Sequence, residues 1–337
     1  MNVPHEYEKR YKFDFYSYRR RFKYPLSTSH GDWYVRKGII LRLSDENGQV
    51  GWGEIAPIPW FGSESLEQAL DFCRQLNGEI TLSNIDNIPS ILPACQFGLE
   101  SAWESVIAHP YLSYLCPSTP LTYSFLLPTG KAALEAWQIA WNQGHRTLKW
   151  KIGVANIEYE LKLFEQLTQV LPPSVKLRLD SNGGLSKQET HQWLQVADSS
   201  GIIEFLEQPL PPEKFKAMLE MSHQYSTPIA LDESVATLDK LESCYQQGWR
   251  GIVVIKPSIA GSPKRLRQLC QQWEIDAVFS SALETLIGTK AALKLAGELS
   301  KCDRAVGFGV NQYFDQDFNI DCEQGERARE IRVTLNN

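Results

Sequence analysis

The segment Thr147-Leu148-Lys149-Trp150-Lys151-Ile152-Gly153 predicts a short β-strand that ends in charge. Side chains alternate sides along a strand, so Lys149 and Lys151 point one way while Trp150 and Ile152 point the other. Two neighbouring ammonium groups disfavour each other's ionisation, which is one way to make a lysine a base near neutral pH. Taken alone, the pair favours a solvated sheet edge, but the downstream sequence reverses that interpretation.

Composition places the chain among globular proteins and excludes several partners. At 337 residues, with 43% hydrophobic and 22% charged residues, it is long enough for one large α/β domain plus a smaller one. The net charge of -6 and the lack of a basic stripe argue against nucleic acid. No apolar run has the length of a membrane span, and the first residues do not resemble a signal peptide. The seven cysteines are scattered without CxxC spacing, which predicts packed free thiols in a cytoplasmic protein.

The rhythm of the sequence divides the chain into three segments. Residues 1–117 predict an α+β capping domain with antiparallel strands at 11–16, 37–43 and 50–55, a polar mobile loop at 27–32, and helices at 65–76 and 94–108. Residues 118–310 alternate short apolar strands with amphipathic helices. Residues 311–337 contain a strand-like run at 331–335 that we expect to return to the capping domain.

The middle segment has the repeat of a (β/α)8 TIM barrel. Its predicted strands begin roughly 20 to 30 residues apart, as expected of βα units. They are 121–126, 147–152, 175–180, 203–207, 228–232, 251–255, 276–280 and 305–308, with helices between them at 131–142, 157–170, 187–199, 264–272 and 291–299, among others.

Polar residues fall at the last positions of successive predicted strands. They are Arg178, Asp180 and Asn182 on the third strand, Glu207 on the fourth, Asp232 on the fifth, Lys256 on the sixth, and Ser280 and Ser281 on the seventh. In a barrel these strand ends converge on one mouth, where active sites of this fold lie. We therefore expect the three carboxylates to meet within a few ångströms and to require a cation. Oxygen-only ligands predict Mg²⁺.

The lysines predict the reaction class. Lys149 and Lys151 approach the predicted metal from one side and Lys256 from the opposite side. A cation and ammonium neighbours lower a lysine's pKa, so one lysine can act as a base. The metal can take a substrate carboxylate and stabilise the charge that develops on deprotonation, which predicts proton abstraction α to the carboxylate of a small molecule, through an enediolate.

The order Lys-x-Lys, Asp-x-Asn, Glu-Gln-Pro, Asp-Glu-Ser and Lys resembles the muconate-lactonising subgroup of the enolase superfamily. Within it the chain is most similar to the o-succinylbenzoate synthases, on the segment 51–59, on Arg178 and on the segment 280–284. The resemblance implies metal ligands at Asp180, Glu207 and Asp232. It also implies acid/base lysines at Lys151 and Lys256 and a helper lysine at Lys149, with Mn²⁺ as a possible substitute metal. The implied reaction is dehydration of 2-succinyl-6-hydroxy-2,4-cyclohexadiene-1-carboxylate to o-succinylbenzoate, toward menaquinone or phylloquinone.

The same residues are compatible with several further functions. An epimerase or N-succinylamino acid racemase suits two opposed lysines, although residues 305–310 lack the Asp-x-Asp usual in dipeptide epimerases. A cycloisomerase would use the same fold and site, and a catalytically inactive barrel could serve as a binding protein. Ser280 and Ser281 could simply bind backbone, and Arg178 could pair with a carboxylate without touching substrate. Trp33, Trp60 and Phe61 could line the site or form cap core, and His30 is given no catalytic role.

Overall fold

An antiparallel sheet forms the capping part of the molecule. The structure is a computed structural model that describes residues 9–28, 31–108, 120–300, 304–309 and 313–320. The sheet strands are β1 (Arg10–Thr28), β2 (Gly31–Ser44), β3 (Val50–Ile55) and β4 (Glu79–Thr81). A strand that follows the barrel in the sequence, Phe314–Ile320, joins the same sheet. The order is Phe314–Ile320, β1, β2, β3, with β4 also paired to β1.

Helices cover one face of this sheet. They are α1 (Leu66–Gln75), α2 (Leu82–Asp86) and α3 (Pro93–Ile107). Strand β3 lies directly against α3, and only glycine allows this approach: a Cβ on Gly53 would stand 2.1 Å from the carbonyl oxygen of Gly98. Ser65 caps α1, because its side chain accepts from the backbone N–H of Gln68.

A parallel barrel forms the second part. Its elements are β5 (Ser124–Leu126), α4 (Ala133–Asn142), β6 (Thr147–Lys151), α5 (Ile157–Val170), β7 (Lys176–Asp180), α6 (Lys187–Ser200), β8 (Ile203–Glu207), α7 (Phe215–Ser222), β9 (Ile229–Leu231), α8 (Leu238–Gln246), β10 (Ile252–Ile255), α9 (Pro257–Ala260), α10 (Pro263–Trp273), β11 (Ala277–Phe279) and α11 (Leu286–Leu299). Short 3-10 turns lie at Pro59–Phe61, Gly130–Ala132, Pro212–Lys214 and Glu233–Val235. The strand Phe314–Ile320 is β12.

Seven parallel strands in the order β5 to β11 form the described barrel sheet. The predicted eighth strand at 305–308 is reduced to isolated bridges, from Val306 to Tyr123 and from Gly307 to Ser280. These bridges place the segment between β11 and β5, where it closes the barrel. Glycines at 307 and 309 weaken a regular strand there. The expectation of a (β/α)8-type barrel with an N-terminal cap is thus confirmed, with an irregular last strand.

Two local predictions need correction, and a third lies outside the described residues. The loop predicted at 27–32 is shorter, because β1 runs to Thr28, which pairs with Gly31; residues 29 and 30 lie outside the described part. Helix α11 begins at Leu286 and not at 291, since Thr285 caps it and a glycine in its first turn obscured the start. The strand expected at 331–335 lies outside the described part and stays a prediction; in the described residues, β12 pairs with β1 of the cap.

The remaining expectations about the chain can be compared only where it is described. Cys73, Cys95, Cys244 and Cys270 are buried free thiols, as predicted, and the other three cysteines lie outside the described residues. Among the helices that the structure describes, none combines the length and the apolar character needed to cross a bilayer. The domain boundaries at 117/118 and 310/311 stay predictions.

Candidate active site

Strand β6 holds its two lysines on the inner side of the barrel. Trp150 is 1% exposed and packs edge-on against Trp193 in the main core, as the predicted alternation requires. In the register with β7, Lys151 lies beside Asp180 and Lys149 beside Arg178. The apolar side of β6 thus anchors the strand, and its other side carries both ammonium groups to the barrel mouth.

The three predicted carboxylates lie at neighbouring strand ends. Asp180, Glu207 and Asp232 are each almost fully buried, and Asp180 is the register partner of Glu207. Lys149 Nζ lies 2.8 Å from Asp180 Oδ2 and 2.7 Å from Glu207 Oε1, and Lys256 Nζ donates to Asp232 Oδ1. Lysines therefore bridge and hold these groups, which would otherwise repel each other, and the joint coordination of a cation by the three carboxylates stays a prediction.

Burial and neighbouring charges shift the pKa values of this cluster in different directions. Burial acts to lower the pKa of Lys149, but the carboxylates of Asp180 and Glu207 outweigh it and raise that pKa. Burial and the Asp180 charge raise the pKa of Glu207 to about 7. Burial raises the pKa of Asp232 to about 6 although Lys256 opposes it. In Asp180 the charge of Lys149 outweighs burial and lowers the pKa. Two of the three carboxyl groups, those of Glu207 and Asp232, therefore hold a proton more tightly than a free carboxyl group does.

The donor set fits a hard divalent cation. Across the described residues, no three His, Cys, Asp or Glu side chains form a ready-made metal cage. Yet Glu233, the residue after Asp232, has a buried Oε2 atom without a hydrogen-bond partner, and burial raises the pKa of its carboxyl group. A cluster of buried oxygen donors with an orphaned carboxylate oxygen is the chemistry that Mg²⁺ satisfies. Asp180, Glu207 and Asp232 are the residues that would hold it.

Buried side chains fix the backbone of two of these strand ends. The amide oxygen of Gln208 accepts from the backbone N–H groups of Asp232 and Ser234 at 2.9 and 3.1 Å. Glu160 of α5 accepts from three successive N–H groups, at residues 153–155, in the turn that follows Lys151. Both residues were missed by the sequence reasoning; Gln208 stands in the quoted Glu-Gln-Pro motif, whereas nothing in the sequence marked Glu160.

A cavity of about 410 Å³ opens above the cluster. Lys149, Lys151, Asp180, Asp232 and Lys256 all line it. Lys149 is held by two carboxylates, whereas Lys151 makes no ion pair or hydrogen bond with any residue in the described ranges. The two lysines that spacing could not distinguish therefore differ in their surroundings.

The cap contributes an aromatic ring to the cavity. Phe61 lines it, and the Lys256 Nζ atom lies 4.2 Å from the centre of the Phe61 ring. Trp33 and Trp60 are not among the cavity residues; they meet edge-on, and Trp33 also packs at the margin of the cap core. Of the three aromatic residues that the sequence offered as lining the site, Phe61 lines the cavity.

The remaining predicted residues divide between cavity and interior. Asn182, Ser280 and Ser281 line the cavity. Arg178 is 2% exposed in the barrel interior, where its Nε atom lies 2.7 Å from Glu204 and its Nη1 donates to the Ala305 carbonyl. Arg178 thus pairs with a carboxylate, one of the two roles open to it from the sequence.

Comparison with known proteins gives the chain its relatives. The family model described as MenC, N-terminal domain, matches residues 11–106, and the model described as enolase C-terminal domain-like matches residues 132–329. The o-succinylbenzoate synthase of Thermosynechococcus vestitus (strain BP-1) is 42% identical over 88% of this chain and 91% of its own length. The L-Ala-D/L-Glu epimerase of Bacillus subtilis is 26% identical over 81% of this chain and 80% of its own.

Among solved structures, the o-succinylbenzoate synthase of Thermosynechococcus elongatus BP-1, complexed with Mg in its active site, superposes with a TM-score of 0.86 at 39% identity. The match covers 96% of this chain and 99% of that one.

Proposed function

The chain belongs to the o-succinylbenzoate synthase family of the enolase superfamily, and we propose that it dehydrates 2-succinyl-6-hydroxy-2,4-cyclohexadiene-1-carboxylate to o-succinylbenzoate in the biosynthesis of menaquinone or phylloquinone. The observation that carries the proposal is the difference between the two lysines of β6: two carboxylates hold Lys149, whereas Lys151 faces the same cavity without an ion pair among the described residues. Because no described residue holds its Nζ atom by an ion pair, Lys151 can approach the α-proton of a substrate bound in this cavity.

Substrate binding uses the carboxylate cluster. Asp180, Glu207 and Asp232 would hold Mg²⁺, with Mn²⁺ as a substitute. The cation supplies positive charge for the substrate carboxylate and for the charge that develops beside it as the α-proton leaves. The ammonium group of Lys149 balances part of the negative charge of Asp180 and Glu207.

Lys151 performs both proton transfers. Its Nζ atom removes the α-proton and then returns that proton to the leaving hydroxyl group on the same face, which makes the elimination syn. Aromatisation of the ring favours the elimination, and correct placement of the lysine lowers the barrier further. The turn after Lys151 is fixed by Glu160, which supports such placement.

Lys256 acts from the opposite side of the ring. Its ammonium group lies over the π-system of the reacting ring and stabilises the intermediate by a cation–π interaction. The contact between Lys256 and the Phe61 ring supports this role, since the same ammonium group already lies over an aromatic face.

The test is an assay of purified protein with the cyclohexadiene substrate and Mg²⁺, followed by the loss of ultraviolet absorbance. We expect turnover that disappears when a chelator removes the metal and returns with Mg²⁺ or Mn²⁺. No turnover with either metal, together with exchange of the α-proton of N-succinyl amino acids, would overturn the proposal in favour of a racemase.

A further inference from the structure

A carboxylate of the cap lies at the start of a barrel helix. Glu54, on β3, is fully buried and accepts from the backbone N–H of Thr285 at 2.9 Å, from its hydroxyl at 2.5 Å, and from the N–H of Gly288 at 3.0 Å. Thr285 is the N-cap of α11. A carboxylate at the N-terminus of a helix accepts hydrogen bonds from the free N–H groups there, and its negative charge interacts favourably with the helix dipole. The cap therefore supplies part of the helix start of the barrel.

The surroundings of Glu54 are shaped to this contact. A Cβ on Gly288 would stand 2.8 Å from Glu54 Oε2, so the glycine permits the approach. On the cap side, the hydroxyl of Tyr18 donates to Glu54 Oε1 at 2.5 Å. Burial and the Glu54 charge raise the pKa of Tyr18, so the phenol keeps the proton that it donates.

The loop before α11 continues from Thr285 to the active-site cavity. Glu284, also fully buried, accepts from the hydroxyl of Ser281 at 2.9 Å and from that of Ser258 at 3.0 Å. Ser281 lines the cavity, and Ser258 lies two residues after Lys256. Glu284, the residue before Thr285, thus links the cavity residue Ser281 to the turn that follows Lys256.

The same loop is strained and held by a second cap residue. Leu283 has φ of 64°, a left-handed conformation that costs a leucine of the order of 1 kcal/mol or more. Its carbonyl accepts from Arg36 Nε at 3.3 Å, and Arg36 is itself 1% exposed. Ala282 and Ile259, on the two barrel segments that Glu284 joins, pack into the cap core. Contacts from the cap therefore hold the segment 281–285 in addition to the hydrogen bonds of Glu284.

We propose that Glu54 is a positioning residue of the reaction: by holding Thr285, it shapes the segment 281–285, and through Glu284 it sets the places of Ser281 and of the turn that carries Lys256. The inference deepens the proposed function and rests on it for the chemistry of Lys256. It gives the cap a part in the geometry of the site beyond covering it.

The chain offers a matched control for Glu54. Glu64 is another buried cap carboxylate, and it accepts from the N–H groups of Ala94 and Cys95 at the start of α3, within the cap itself. Both Glu54→Gln and Glu64→Gln place an amide against N–H donors at a helix start. Only Glu54→Gln should change the conformation of the barrel segment 281–285. Thr285→Val and Thr285→Ser form a second pair, since serine keeps the hydroxyl that Glu54 accepts from.

The experiment measures kcat, KM and backbone hydrogen exchange of the full chain with Mg²⁺. We expect Glu54→Gln and Thr285→Val to lower kcat on the order of 10- to 100-fold with KM changed less than about threefold, because misplacement of a reacting group by about 1 Å has effects of that size. The backbone amides of residues 256, 258–260 and 281–288 should exchange faster. Thr285→Ser should restore kcat, and Glu64→Gln should change neither kcat nor those amides.

Equal kcat values for the Glu54 and Glu64 variants would overturn the inference, as would faster exchange confined to the first turn of α11. If Glu54→Gln does not fold, the Thr285 pair decides by the same criteria. A wild-type protein without dehydration activity would refute the proposed function, and the exchange measurement alone would then decide whether Glu54 shapes residues 256–260.

Discussion

Replacing Lys149 with methionine should expose the charge balance of the site. The Lys149 ammonium is shared by Asp180 at 2.8 Å and Glu207 at 2.7 Å, and both carboxylate side chains are at most 3% exposed. Removing one partner of a buried ion pair costs about 3–5 kcal/mol. Because burial raises the pKa of Glu207 to about 7, this group can take up a proton, and we expect a loss near the lower value, about 3 kcal/mol in the free energy of unfolding.

The measurement is denaturant unfolding followed by circular dichroism, with a chelator and then with Mg²⁺. Added Mg²⁺ should reduce the difference between Lys149→Met and wild type, because the cation replaces the lost positive charge. Lys176→Met is the control: Lys176 is exposed near the other end of the neighbouring strand, and its loss should change stability by less than about 0.5 kcal/mol. A Lys149 variant as stable as this control, or a difference that Mg²⁺ leaves unchanged, would refute the reasoning.

Three further perturbations test other parts of the structure. Burial acts to raise the carboxyl pKa of Glu104, but the ion pair with Arg267 outweighs it and lowers that pKa. The ion pair therefore stabilises the fold above the unfolded pKa of about 4.5, and this stabilisation is lost in stronger acid. Wild type should therefore lose about 1–2 kcal/mol more than Glu104→Gln between about pH 5 and 3 in unfolding titrations. Phe61→Ala should lower kcat/KM about tenfold in steady-state kinetics and Phe61→Tyr much less, since only the alanine removes the ring over Lys256. Gly53→Ala should destabilise by about 3 kcal/mol in thermal unfolding, because its Cβ meets helix backbone at 2.1 Å; a loss below about 1 kcal/mol would contradict the close packing.

The local parts of this fold could be predicted where one signal dominates. Helix α5 has the predicted bounds, because Asn156 caps it and its apolar residues keep the helical period. Strand β6 differs from its prediction by one residue. The irregular form of the last barrel strand could not be predicted. The described residues there make isolated bridges at two positions, and these depend on hydrogen bonds to segments that are distant in the sequence.

The site, like the fold, could be predicted only in part from the sequence. Strand-end position was enough to gather Lys149, Lys151, Asp180 and Asp232 around one cavity. Spacing could not show that Lys149 bridges two carboxylates, because side-chain distances across neighbouring strands are set by packing. The contact of Glu54 with Thr285 joins residues 231 positions apart, and no local pattern reports such a pair.

The most direct test of the account compares wild type, Lys151→Ala and Lys256→Ala in the ultraviolet assay with the cyclohexadiene substrate and Mg²⁺, with circular dichroism to verify the fold. We expect wild type to turn over substrate, and each variant to lose about a thousandfold or more while remaining folded. A folded Lys151→Ala variant with near-normal dehydration would contradict the assignment of Lys151 as the base.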